Sequence, residues 1–195
     1  MDNCSEMKML QHIGKILGQL RQCSGTQYLN EVECGIILTR LYETGMRYDA
    51  VEIGSWNGIT SAGMGMVAKL LNTGKKVYSI DNYVGHPNLK PTPEEARQNY
   101  WHNVQKNNVQ YFCELIIGNS EDVEFDKPIG FLFIDGGHSY EQVKKDIEKW
   151  IPKVVKQGTV VFHDYSISHP QVVRAIEEAN LGGEKQGSAL YVTRI

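Results

Sequence analysis

The chain has 195 residues, of which 41% are hydrophobic and 22% charged, with a formal net charge of −3. That length suits one domain with a substantial core. The acidic balance and the lack of any basic run argue against nucleic-acid or anionic-membrane partners, which reward clustered Lys and Arg.

Met7, Leu10, Ile13, Leu17 and Leu20 recur at helical spacing, so residues 1–22 read as an amphipathic helix weakened by Gly14 and Gly18. A second helix is predicted from Asn30 to Thr44, ending near Gly45. Together residues 1–45 form an N-terminal helical extension, and 46–195 a single ligand-binding domain. From Tyr48 onward, strands and helices alternate. Residues 48–54 form the first strand. Residues 59–72 form a helix in which Gly63 and Gly65 imply close packing on the sheet. The second strand is 76–81. Thr92-Pro93-Glu94-Glu95 has the form of a capping box with proline at the first helical position, and starts a helix running to about Asn107. The third and fourth strands are 111–117 and 129–135. Ser139-Tyr140-Glu141-Gln142 is another capping box. The helix after it buries Val143, Ile147, Trp150 and Ile151 and stops at Gly158. A fifth strand at 159–164, a helix at 171–179 and a final strand at 189–194 complete the chain. Continuous apolar strands alternating with helices imply an α/β fold, with a parallel sheet covered on both faces.

In such a sheet, ligands bind beyond the carboxyl ends of the strands, where strand order reverses. The first strand carries Glu52 and runs into Gly54-Ser55-Trp56-Asn57-Gly58. The second ends at Asp81, the fourth at Asp135 and the fifth at His163-Asp164. One such carboxylate could simply cap a turn; four at one edge point to a site. A dinucleotide fold would place glycine where Trp56 stands, because the pyrophosphate must approach the backbone. An indole blocks that approach. Asp81, at the tip of the next strand, is placed to accept ribose hydroxyls.

These motifs resemble those of class I S-adenosylmethionine-dependent methyltransferases. VEIGSWNGIT at 51–60 is similar to their first motif. The segment 133–165, FIDGGHSYEQVKKDIEKWIPKVVKQGTVVFHDY, resembles a small bacterial family that includes antibiotic-pathway sugar O-methyltransferases. The motif order also matches catechol O-methyltransferase. The resemblance covers residues 48–165 and implies a Rossmann-like, mostly parallel seven-stranded sheet in the order 3-2-1-4-5-7-6, with a very short sixth strand near 184–187. It places Glu52, Gly54, Ser55, Trp56, Gly58 and Thr60 around the methionine end of the cofactor, with Asp81 and Asn82 at the ribose. GNSED at 118–122 is similar to the adenine-reading segment, with Ser120 and Glu121 at the base edge. Asp135 and Asp164 fall on positions that bind a divalent cation such as Mg²⁺ in some relatives, with His163 a further candidate; Asp135 also borders the cofactor. Tyr165 stands where a third oxygen ligand is usual. Mg²⁺ prefers an octahedron of hard oxygens, whereas an imidazole suits a transition metal better. His138 takes the place of a base near the acceptor hydroxyl.

The expected activity is methyl transfer to a small-molecule hydroxyl, with Asp135, His138 and Asp164 as catalytic residues. A nicotinamide-dependent oxidoreductase and a non-catalytic cofactor-binding scaffold are the alternatives. Met1-Asp2-Asn3 opens no leader-like segment, and no apolar run approaches the roughly 20 residues that span a bilayer. Cys4, Cys23, Cys34 and Cys113 form no CxxC pair, as expected of reduced cytoplasmic thiols. The sequence leaves open a homo-oligomer and the identity of the acceptor.

Overall fold

The computed structural model describes residues 3–25, 29–84 and 90–195. Two helices come first, α1 (Asn3–Leu20) and α2 (Glu31–Glu43). They are followed by β1 (Asp49–Ile53), α3 (Ile59–Leu71), β2 (Val77–Asp81), α4 (Pro93–Lys106), β3 (Cys113–Ile117) and β4 (Ile129–Ile134). Then come α5 (Tyr140–Trp150), β5 (Val154–Phe162), α6 (Pro170–Glu178), β6 (Glu184–Gln186) and β7 (Leu190–Arg194). The seven strands form one sheet in the order β3-β2-β1-β4-β5-β7-β6, as the motif order implies. β1 to β5 pair in parallel, and β7 is antiparallel to both β5 and β6.

The sheet's alternation divides the interior into two cores. Ala50, Phe131, Phe133 and Val161 face a layer that includes α1, α2, α3 and α4. Val51, Leu132, Ile134 and Phe162 face α5 and α6. Glu52 shares the parity of Ala50, and so points toward α3 rather than toward the strand tips. Gly65 fits the close packing expected of it: a Cβ there would lie 2.4 Å from Cys113 Sγ on β3. Gly63 packs instead between helices, where a Cβ would meet Leu20 at 3.0 Å and Leu38 at 3.1 Å.

Both predicted capping boxes mark helix starts. Thr92 accepts from Glu95 N while Glu95 reaches back to the Thr92 backbone, and Ser139 accepts from Gln142 N. α2 has a second complete box, between Asn30 and Glu33, whereas Gln142 does not reach back to the Ser139 backbone. One expectation fails between α5 and β5. The helix ends at Trp150 rather than at Gly158, a short 3-10 turn spans Ile151–Lys153, and β5 already begins at Val154. The reason is a bulge: Ile129 pairs with Val154, but Phe131 pairs with Thr159. Gly158 sits in that bulge, where a Cβ would lie 2.5 Å from Val154 Cγ1.

Candidate active site

The turn after β1 is held by hydrogen bonds rather than by bulk. Gly54 takes φ +85°, and a Cβ there would stand 2.1 Å from the carbonyl oxygen of Asp135, so only glycine lets β1 and β4 open at this height. Asp81 reaches across from β2. Its Oδ2 accepts from the backbone N–H of Ser55 at 2.9 Å and of Trp56 at 2.8 Å, and its Oδ1 accepts from Tyr83 N at 2.7 Å. Asp81 is therefore partly spent on shaping the turn, which the sequence does not reveal. The Tyr83 ring stacks on Trp56 at 6.3 Å, and its hydroxyl donates to Trp56 O.

This turn forms one wall of a cavity of about 670 Å³, within the range of small-molecule sites. Gly54, Ser55, Trp56, Thr60, Asp81 and Asn82 line one part of it, and Ser120 and Glu121 another. Asp135, His138, His163 and Asp164 line the rest. Two residues expected around a ligand are absent from the lining. Glu52 is 1% exposed and lies in the interior, accepting from the Ser61 hydroxyl and from Ser79 Oγ at 2.9 Å. Burial pushes its carboxyl up to about 8. Gly58 caps α3 at φ +67°, and a Cβ there would meet the Tyr100 ring at 2.5 Å, so its role is to let α4 pack. Glu121 lines the cavity but is half-exposed and pairs with Lys145 at 2.6 Å. The loop expected from Asn82 to Pro91 includes Gly85, His86 and Pro87, which lie outside the described residues.

At the tips of β4 and β5 stands a cluster of imidazoles and carboxylates. Asp164, at φ +58°, accepts on Oδ2 from His138 Nε2 at 2.9 Å and faces His163 Nδ1 at 3.3 Å; its Oδ1 lies 3.3 Å from His169 Nδ1. Burial would raise its carboxyl, but the hydrogen bonds from His138 and His163 hold it well below the usual range. Asp135 Oδ1 lies 2.9 Å from His163 Nδ1. There burial prevails over that bond, and the Asp135 carboxyl sits above its ordinary value. Burial works to discharge His163, yet its bonds to Asp135 and Asp164 raise it to about 11. The hydrogen bond to Asp164 likewise raises His138, whose side chain is 54% exposed.

Two groups of three side chains bring their donor atoms within 4.8 Å of one another: Asp135, His163 and Asp164, and His138, Asp164 and His169. They do not fit a Mg²⁺ site. The gap between the two aspartates is bridged by His163 Nδ1, and His163 Nε2 faces Glu33 Oε2 at 3.5 Å. A ring with a carboxylate at each nitrogen is held as an imidazolium, which offers no lone pair. Tyr165 turns away, its hydroxyl donating to Glu177 at 3.1 Å. Asp135, Asp164 and His163, the residues expected at a metal, form an internal ion-pair network in this structure.

Three participants were not read from the sequence. Glu33 comes from α2, where its spacing from Asn30 signals a helix start but nothing of the site. His169 follows Asp164 in a loop of no recognisable pattern. Asp146 did leave a trace: it falls between Val143 and Trp150 on the buried stripe of α5, a charged residue at an apolar position.

Comparisons with known proteins agree with the fold. Residues 51–165 match the model of a family described as a methyltransferase domain. The uncharacterized protein y4gI of Sinorhizobium fredii is 32% identical over 96 residues, which are 46% of this chain and 10% of that protein. The chain thus spans about a tenth of that relative's length. Among solved structures, the O-methyltransferase NovP superposes with a TM-score of 0.70 at 17% identity, covering 97% of this chain and 98% of NovP. An O-methyltransferase from Bacillus cereus in complex with SAH gives 0.65 at 10% identity, covering 96% and 91%. At these identities the structural matches speak for the fold.

Proposed function

The chain belongs to the methyltransferase family whose domain its residues 51–165 match, and from that membership we propose an S-adenosylmethionine-dependent O-methyltransferase acting on a small-molecule hydroxyl. Bound in the cavity, the cofactor supplies an electrophilic methyl group. The turn from Gly54 to Thr60, Asp81 and Asn82 hold its amino-acid and ribose parts.

The observation that carries the reading is that one cavity joins the Asp81-held turn to the His138–Asp164 pair. Asp164 accepts from His138 Nε2, which fixes the tautomer and leaves Nδ1 as the basic nitrogen. His138 Nδ1 takes the proton from the acceptor hydroxyl as its oxygen is methylated. His163, held charged between Asp135 and Asp164, keeps both carboxylates in place. Alignment of the two reactants in the cavity is worth up to roughly 7–11 kcal/mol of the barrier. No step requires a divalent ion.

The test is calorimetry with S-adenosylmethionine and with NADH, followed by incubation with a panel of hydroxylated acceptors. Binding of the first ligand alone and release of S-adenosylhomocysteine are expected. Binding of NADH alone would favour the oxidoreductase that Trp56 argues against. Binding without turnover on any acceptor would leave a scaffold.

A further inference from the structure

Asp146 is 3% exposed, lies in the middle of α5, and lines the same cavity. A carboxylate in that position is costly unless hydrogen bonds repay its lost hydration. The protein supplies one. Ser120 donates to Oδ1 at 2.5 Å, while Oδ2 accepts no hydrogen bond from the described residues. Neighbouring cations are committed elsewhere: Lys145 pairs with Glu121 Oε2 at 2.6 Å, and Lys149 donates to the Glu121 carbonyl at 2.7 Å. Burial accordingly pushes the Asp146 carboxyl up to about 6.

What this oxygen lacks is a neutral donor. The surface beside it is bare: Gly136 and Gly137 line the cavity, and a Cβ on Gly136 would lie 3.7 Å from Asp146 Oδ2. Ile53 and Ile80 add apolar wall. A flat heterocycle resting on the glycine strip would bring an edge group to Asp146. A carbonyl there would face a carboxylate, lone pair to lone pair, whereas an amino group would complete its bonding.

We propose that Asp146, held by Ser120, is the residue that reads the 6-amino group of the cofactor's purine and rejects a 6-oxo purine. The proposal rests on the S-adenosylmethionine reading above and deepens it. It moves base recognition from Glu121, which is spent on Lys145, to a buried residue one helix away. Discrimination follows because a buried polar group left unpaired by the wrong ligand costs more than the right bond gains.

Calorimetry with S-adenosylhomocysteine and S-inosylhomocysteine tests this. The wild-type protein should prefer the adenine ligand by about tenfold or more. Asp146→Asn keeps the shape and can accept from Ser120, but presents an amide that can donate to a 6-oxo group. The preference should shrink to within about threefold or invert. Ser120→Ala, which leaves the carboxylate in place, should weaken adenine binding while retaining the preference. Equal affinity of the wild-type protein for the two ligands overturns the proposal even if Asp146→Asn does not fold. An undiminished preference in a folded Asp146→Asn protein overturns it as well. In both cases S-adenosylhomocysteine still binds, so the methyltransferase reading stands; binding of neither ligand would remove both.

Discussion

Glu52→Gln separates a ligand-binding role from an interior one. Glu52 accepts two serine hydroxyls on Oε2, and its Oε1 is buried without a partner. Its carboxyl is raised from 4.5 to about 8, chiefly by burial, with the bonds from Ser61 and Ser79 opposing and the charges of Asp135 and Asp81 adding. Between those values the folded protein keeps a proton that the unfolded chain has released. Stability must then fall as pH rises through that window, by about 1.4 kcal/mol per unit for this group. By pH 7 the loss is on the order of 3 kcal/mol relative to pH 4.5. Glutamine is isosteric, still accepts from the serines, and does not titrate. Urea unfolding at intervals from pH 4.5 to 8 should therefore show wild type and variant converging at the acid end and diverging above it, with the variant more stable at pH 8. Affinity for S-adenosylhomocysteine should be unchanged, because Glu52 does not line the cavity. Parallel stability curves accompanied by weakened binding would refute the interior assignment and return Glu52 to the ligand.

Other expectations follow from the same geometry. Gly54→Ala forces a Cβ against the Asp135 carbonyl at a positive φ; a melting scan should show a loss of at least about 1–2 kcal/mol, with cofactor binding lost in calorimetry. Asp164→Asn removes the carboxylate whose charge-assisted hydrogen bond raises His138. The rate rises with pH as His138 loses its proton, so the acid limb of kcat/KM should move to lower pH while the plateau falls roughly a hundredfold or more. An unmoved limb would show that His138 is not the base. Activity should persist in excess EDTA, since His163 fills the space between Asp135 and Asp164; loss on chelation with recovery on Mg²⁺ would restore the metal pair.

Much of the fold was legible because local signals agreed with one another. The capping residues Thr92 and Ser139, the apolar strands and the stop at Gly45 each had a local physical cause, and the motif order carried the sheet order. The strand tips Gly54, Asp81, Asp135 and Asp164 were legible for the same reason: parallel strands bring their carboxyl ends to one edge. What escaped depended on long-range packing. Strand parity turned Glu52 inward. The bulge at Gly158 lengthened β5 without a compositional mark. The His163 ring between Asp135 and Asp164 was not legible either, because Glu33, 130 residues earlier in the chain, helps to hold it.

Glu33 also limits how the chain can be recombined. Besides facing His163, it accepts from the Ser188 hydroxyl and the Ala189 N–H, at the edge of the β6–β7 hairpin. A chimera that exchanges α1 and α2 for helices from another protein would look harmless, because the motif residues all lie downstream. Unless it carries a carboxylate at position 33, it would strand two donors beside the hairpin and free one nitrogen of His163. A graft meant to alter only the cavity's rim would then also alter the charge of the ring between Asp135 and Asp164. Libraries built on this scaffold should keep residue 33 with the strands that carry Asp135 and His163 rather than with the helix that bears it.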